Sequence, residues 1–161
     1  MKTFLEEFRQ TLENAAGRLQ QLSDEQSRIS KTPGKWSAKQ IMGHLVDSAG
    51  NNHQRFVRAQ FKDDLVFPGY EQEEWVKVQN YETENWRELI QLWKSYNLHI
   101  IHVAENIPVD ILRKKRVKHN LHQIAWKTIP EEEAVTLEYF IRDYVGHLKN
   151  HLEQIWSQYK I

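Results

Sequence analysis

The amino-acid sequence predicts an all-α protein, a four-helix bundle. Apolar residues recur at helical spacing in four long segments, while all four prolines fall in the connections between them. The third observation is size. A chain of 161 residues with 40% hydrophobic content and six tryptophans can bury one good core but is too short for two comfortable domains, so one domain spanning 1–161 is expected.

The first helix is expected over residues 3–22, with Phe4, Leu5, Phe8, Leu12, Ala15, Leu19 and Leu22 on one stripe. The breaker Thr32-Pro33-Gly34 separates it from a second helix over 37–60. Ser37 can cap that helix while Gln40 reaches back, a capping box. The third, over 83–107, carries Trp86, Leu89, Ile90, Trp93, Asn97, Ile100, Ala104 and Ile107 on one face until Pro108 stops it. The fourth, over 136–159, opens at Thr136 and repeats Leu137, Phe140, Ile141, Tyr144, Leu148, Leu152 and Ile155.

Two connections, 61–82 and 108–135, exceed the usual two to eight residues between bundle neighbours and so permit crossovers. The aromatic-rich stretch FPGYEQEEWVKVQNY in the first is expected to fold back over one end of the bundle. Its Tyr70, Trp75 and Tyr81 could wall a pocket or simply pack there. RKKRVKHN in the second invites a nucleic-acid reading. Lysine plus arginine equals aspartate plus glutamate at 22 each, however, and acidic PEEE follows, so a solvated, locally balanced loop is expected.

The same charge balance speaks against anionic membranes, and no stretch approaches the ~20 apolar residues of a span. The N-terminus MKTFLEEFRQ has acidic residues where a signal peptide has its apolar core, so a cytoplasmic location is expected. Long helices and six tryptophans leave apolar surface for a homodimer to cover. With no cysteine, thiolate sites and disulfides are excluded, and a metal must rest on histidine, carboxylate or water.

Eight histidines are available. His147 and His151, four apart, project from successive turns at one edge of the fourth apolar stripe, beside Asp143 and Gln154. His44 lies at the corresponding edge of the second stripe, flanked by Ser48, Asn51 and Arg55. Three imidazoles from facing helices would make a three-nitrogen set with a position left for water or substrate. The competing reading is ordinary polar residues at the margin of packed helices. The zincin pattern fails because Leu148 stands where glutamate is needed, and no histidine has the glutamate three residues earlier that ferritin-like di-iron sites require. His53 and His102 fall on outward faces, His99 on a flank, and His119 and His122 in the second long connection, where a ligand role stays open.

KWSAKQIMGHLVDSAGNNHQRF, followed two segments later by TLEYFIRDYVGHLKNHLEQI, resembles the DinB-like superfamily, also called YfiT-like, over essentially the whole chain. The resemblance implies an up-down-down-up four-helix bundle and a single metal held by His44, His147 and His151. It also implies an enzyme of a group containing metal-dependent hydrolases and transferases or isomerases that use low-molecular-weight thiols such as bacillithiol or mycothiol. Three neutral imidazoles leave a cation its charge, so bound water or thiol becomes a better nucleophile. Zinc or nickel is expected first, then manganese or iron; imidazole suits these better than calcium or magnesium. Asp47, Ser48 and Asp143 are candidates to support the ligands, and Asn51, Arg55, Tyr70 and Trp75 to line a small-molecule pocket, with no catalytic base assigned. The rival is a noncatalytic bundle, metal-stabilised or binding a small ligand.

Overall fold

The computed structural model describes residues 1–161 and is helical with no strands. Its four long helices are α1 (Lys2–Leu19), α3 (Ala38–Arg58), α5 (Trp86–Glu105) and α8 (Leu137–Tyr159). Short helices fill the connections: α2 (Asp24–Arg28), α4 (Gln72–Gln79), α6 (Val109–Arg113) and α7 (Leu121–Ile124).

The helix starts follow local chemistry. Ser37 accepts from the Gln40 amide at 3.2 Å while the Gln40 side chain accepts from the Ser37 amide at 2.9 Å, so the expected capping box closes. Thr136 caps α8 through the Tyr139 amide. The third long helix begins later than its apolar pattern suggested. Thr83 lies in a 3-10 turn, Tyr81–Thr83, and Asn85 is the cap, taking the Arg87 and Glu88 amides. The short helices have too few turns to show a periodicity, which is why they read as loop.

Thirty-eight buried apolar residues form one cluster to which all four long helices contribute. Trp86 and Trp93 of α5, Phe8 of α1, Phe56 of α3 and Phe140 of α8 are its largest fully buried side chains. Phe56 meets Phe140 and Tyr144 edge-on at 5.6 and 5.8 Å, which locks α3 against α8.

The two long connections tie to each other. The Leu65 amide donates to Lys118 O at 3.0 Å, and Asn120 both donates to Phe67 O and accepts from its amide. The expected solvated, locally balanced loop holds at Arg113, Lys114 and Lys118, which are exposed and paired with Glu138, Asp63 and Asp64, and is corrected only at Arg116 and His119. Arg116 is buried and donates to the carbonyls of Ile111, Lys114 and Ala59, while His119, also buried, donates through Nε2 to Glu133 O and accepts the Leu121 amide at Nδ1. Both side chains serve backbone groups that the loop would otherwise leave unpaired.

Two glycines let these connections press onto the bundle. A Cβ on Gly43 would stand 2.0 Å from the Tyr81 ring, and one on Gly146 would stand 2.8 Å from the Trp126 ring. Each immediately precedes a histidine, so each aromatic lies against the backbone that carries His44 or His147.

Candidate metal centre

α3 and α8 bring His44, His147 and His151 together. Their ligand atoms all lie within 4.8 Å of one another, and no other group of three histidine or acidic side chains converges in this way. His44 Nε2 stands 3.3 Å from His147 Nε2, which stands 3.0 Å from His151 Nε2. These contacts cannot all be hydrogen bonds. An imidazole nitrogen carries one hydrogen or one in-plane lone pair, and His147 Nε2 faces two neighbours.

The tautomer of His151 follows from its other nitrogen. Gln154 Oε1, 3.2 Å away, only accepts, so Nδ1 carries the hydrogen and Nε2 offers a lone pair to the centre. Burial holds His44 and His147 at about 3, with nearby imidazoles adding to the effect, and burial lowers His151 as well. The set is therefore neutral at physiological pH.

Four nitrogens arranged tetrahedrally about one cation at about 2.0–2.1 Å would be ~3.3 Å apart, close to the two spacings that His147 makes. Three neutral imidazoles converging at that spacing fit one divalent transition metal. His44 Nδ1 is buried without a partner.

The three histidines stand at one end of a cleft of about 580 Å³ between α3, α8 and the two connections. Ser48, Asn52, Arg55, Tyr70, Trp126 and Asp143 are among its walls. Tyr70 lies 6.4 Å from the His44 ring, centroid to centroid, and 5.1 Å from Trp75, which backs it without lining the cleft. Burial, reinforced by Asp47, pushes the Tyr70 phenol up to about 12, so it keeps its proton and can donate.

The proposed supporting carboxylates bond elsewhere. Asp47 accepts from the Tyr81 hydroxyl at 2.6 Å and from Gln79 at 2.7 Å, and thereby fixes the ring that covers Gly43. Asp143 accepts the Trp126 and Lys127 amides at 2.8 Å each, which anchors the other aromatic wall. Burial raises both carboxyls, and those same hydrogen bonds oppose the rise. Asn51 donates to Asp47 O and does not line the cleft. Ser48 and Arg55 do line it. Sequence reasoning missed Asn52 and Trp126; helical spacing of four and eight from His44 could have found Ser48 and Asn52 together, whereas nothing local marks Trp126.

The model of the DinB superfamily matches residues 7–155. The chain belongs to the DinB superfamily. Two curated DinB-like relatives, from Halalkalibacterium halodurans and Oceanobacillus iheyensis, each carry the name "Putative metal-dependent hydrolase". Each is 25% identical over 136 residues, spanning 83% and 84% of this chain respectively and 72% of the relative. Among solved structures, YfiT from Bacillus subtilis superposes with a TM-score of 0.76 at 19% identity, over 99% of this chain and 88% of YfiT. That structure was reported as a probable metal-dependent hydrolase with an unusual four-helix bundle topology. The fold expected from the resemblance is thus the fold of this chain. A mycothiol-dependent maleylpyruvate isomerase is more distant, with a TM-score of 0.56 and 12% identity over 94% of this chain but 57% of the isomerase. No helix is long and apolar enough to cross a membrane.

Proposed function

We propose that the protein is a metal-dependent enzyme acting on a small molecule, either a hydrolase or a transferase that uses a low-molecular-weight thiol. The observation carrying this reading is the convergence of three neutral imidazoles, from helices distant in sequence, at the end of a cleft large enough for a substrate. The names of the DinB-like relatives support it. A divalent cation held by His44, His147 and His151, zinc or nickel first, would supply a Lewis acid that lowers the pKa of bound water or thiol toward neutrality.

The chain's own groups act around that point. The Tyr70 hydroxyl, protonated throughout the neutral range, donates to a substrate oxygen near His44. Asp143 has both oxygens committed to the Trp126 and Lys127 amides, so it holds a wall and does not shuttle protons. Tyr70 from the first long connection and Trp126 from the second both line the cleft. Thiol transfer is kept beside hydrolysis because the fold of the mycothiol-dependent isomerase overlaps this one.

Protein purified without an affinity tag should carry or take up one equivalent of zinc or nickel. The loaded protein should turn over at least one member of a panel of activated esters and thiol acceptors, and His44→Ala should abolish that turnover. Metal binding without any turnover would make the noncatalytic bundle the better reading. Association as a homodimer belongs to the same proposal, and sedimentation showing a monomer at micromolar concentration removes it.

A further inference from the structure

The cleft continues well past the histidines. His44, Ser48, Asn52 and Arg55 follow one another at helical spacing along the cleft face of α3, so Arg55 lies three turns and ~16 Å of helix from His44. Arg55 is only 5% exposed. Its guanidinium donates to Asn52 Oδ1 at 3.4 Å and Pro68 O at 2.8 Å, both neutral, and it belongs to none of the protein's ion pairs. Of five N–H donors, three have no protein partner.

Arg116 shows what a buried arginine with a structural task looks like in this molecule. It donates to three backbone carbonyls from its two terminal nitrogens, leaves only Nε buried without a partner, and does not line this cleft. Arg55 faces open space instead, and a buried cation without a counter-ion is costly unless something else supplies the negative charge. The acidic residues of the cleft do not supply it, since Asp143 is bound to amides and neither it nor Glu71 pairs with Arg55.

We propose that Arg55 is the binding residue for a carboxylate carried by the substrate, whose reacting atom lies at the imidazole end. A guanidinium with spare donors in one plane matches a carboxylate's two oxygens. A monoanion suits the site better than a dianionic phosphate because Asp143 and Glu71 share the cleft. Asn52 orients the guanidinium through Oδ1 and is itself fixed by donating to Ser48 O at 2.9 Å. The substrate is therefore an elongated acid. This inference rests on reading the cleft as the substrate site, but its test needs neither metal nor turnover.

Metal-free protein is titrated at neutral pH with hexanoate, hexanamide and hexyl phosphate, following fluorescence from Trp126 in the cleft wall and, independently, calorimetry. Hexanoate should bind roughly tenfold or more tightly than hexanamide. Arg55→Met should erase that preference, Arg55→Lys should retain part of it, and His44→Ala should leave it intact. Equal affinity for acid and amide, no saturable binding of hexanoate, tighter binding of hexyl phosphate, or an unchanged preference in Arg55→Met would each overturn the assignment. Should Arg55→Met fail to fold, the acid-to-amide ratio in the parent and in Arg55→Lys still decides. An acid preference in a protein that never takes up metal would sink the proposed enzyme and leave the anion site standing.

Discussion

Two groups of three histidines are built on opposite faces of α3, and they differ in burial and in how their nitrogens are aimed. On the inner side His44, His147 and His151 have ring centroids 4.5 to 5.2 Å apart. On the outer side His53 stands 5.0 Å from His99, which stands 6.2 Å from His102. Ring spacing alone barely separates the two groups. The inner nitrogens converge, and burial keeps the inner rings neutral. On the outer side His53 meets His99 edge-on and His99 stacks with His102, with His99 and His102 exposed and His53 half-buried. A count of neighbouring histidines is thus poor evidence for a site; nitrogen lone pairs aimed at one desolvated point are better evidence.

The largest expected effect separates the groups by metal affinity. His147→Ala should weaken zinc or nickel binding by more than ~100-fold, whereas His53→Ala and His102→Ala should leave it unchanged in equilibrium dialysis. Comparable losses in both groups would erase the distinction.

A pair of glycines sharpens it further. Gly43→Ala would drive a methyl into the Tyr81 ring and should lower unfolding stability by about 1–3 kcal/mol in urea titration. Gly50→Ala meets only the Tyr96 side chain, at ordinary contact distances from 3.5 Å, and should be neutral or stabilising by up to about 1 kcal/mol. Equal losses at the two positions would show that the inner side is no more tightly packed.

The smallest effect concerns pH. Burial first, then His99, holds His53 below its ordinary 6.5 in the folded protein. The unfolded chain therefore takes up the proton first as pH falls. His53's favourable contribution is full above 6.5 and is lost as pH drops through the lower folded-state value. His53→Gln should remove that acid-side decline, by no more than ~0.5 kcal/mol, in unfolding curves compared at pH 7.5 and 5. A larger change would mean that the outer cluster is structural.

The long helices were legible because each repeats its apolar stripe over many turns, and the Ser37 capping box marked one boundary to the residue. Facing edges of two such stripes were enough to nominate His44, His147 and His151. What lay beyond reach came from the connections. Tyr81 against Gly43 and Trp126 against Gly146 are contacts between segments whose relative placement no local periodicity encodes. Arg116 and His119 looked like surface charge because a buried arginine or histidine reads like an exposed one until its carbonyl partners are known. Arg55 was expected on the same face of its helix as His44, and both line the cleft, but its lack of a counter-ion is a property of the folded surroundings alone.

His44 and His147 are separated by 103 positions. A ribosome must add all of them before His147 exists, so a nascent chain carrying α3 alone offers only one of the three converging imidazoles. The proposed metal could be held only once α8 has docked, and it would then act as a reversible clasp across a very long loop, the kind of closure that removes most freedom from an unfolded chain. Metal supply would govern how long a finished molecule survives, and would have little influence on how its earlier helices assemble.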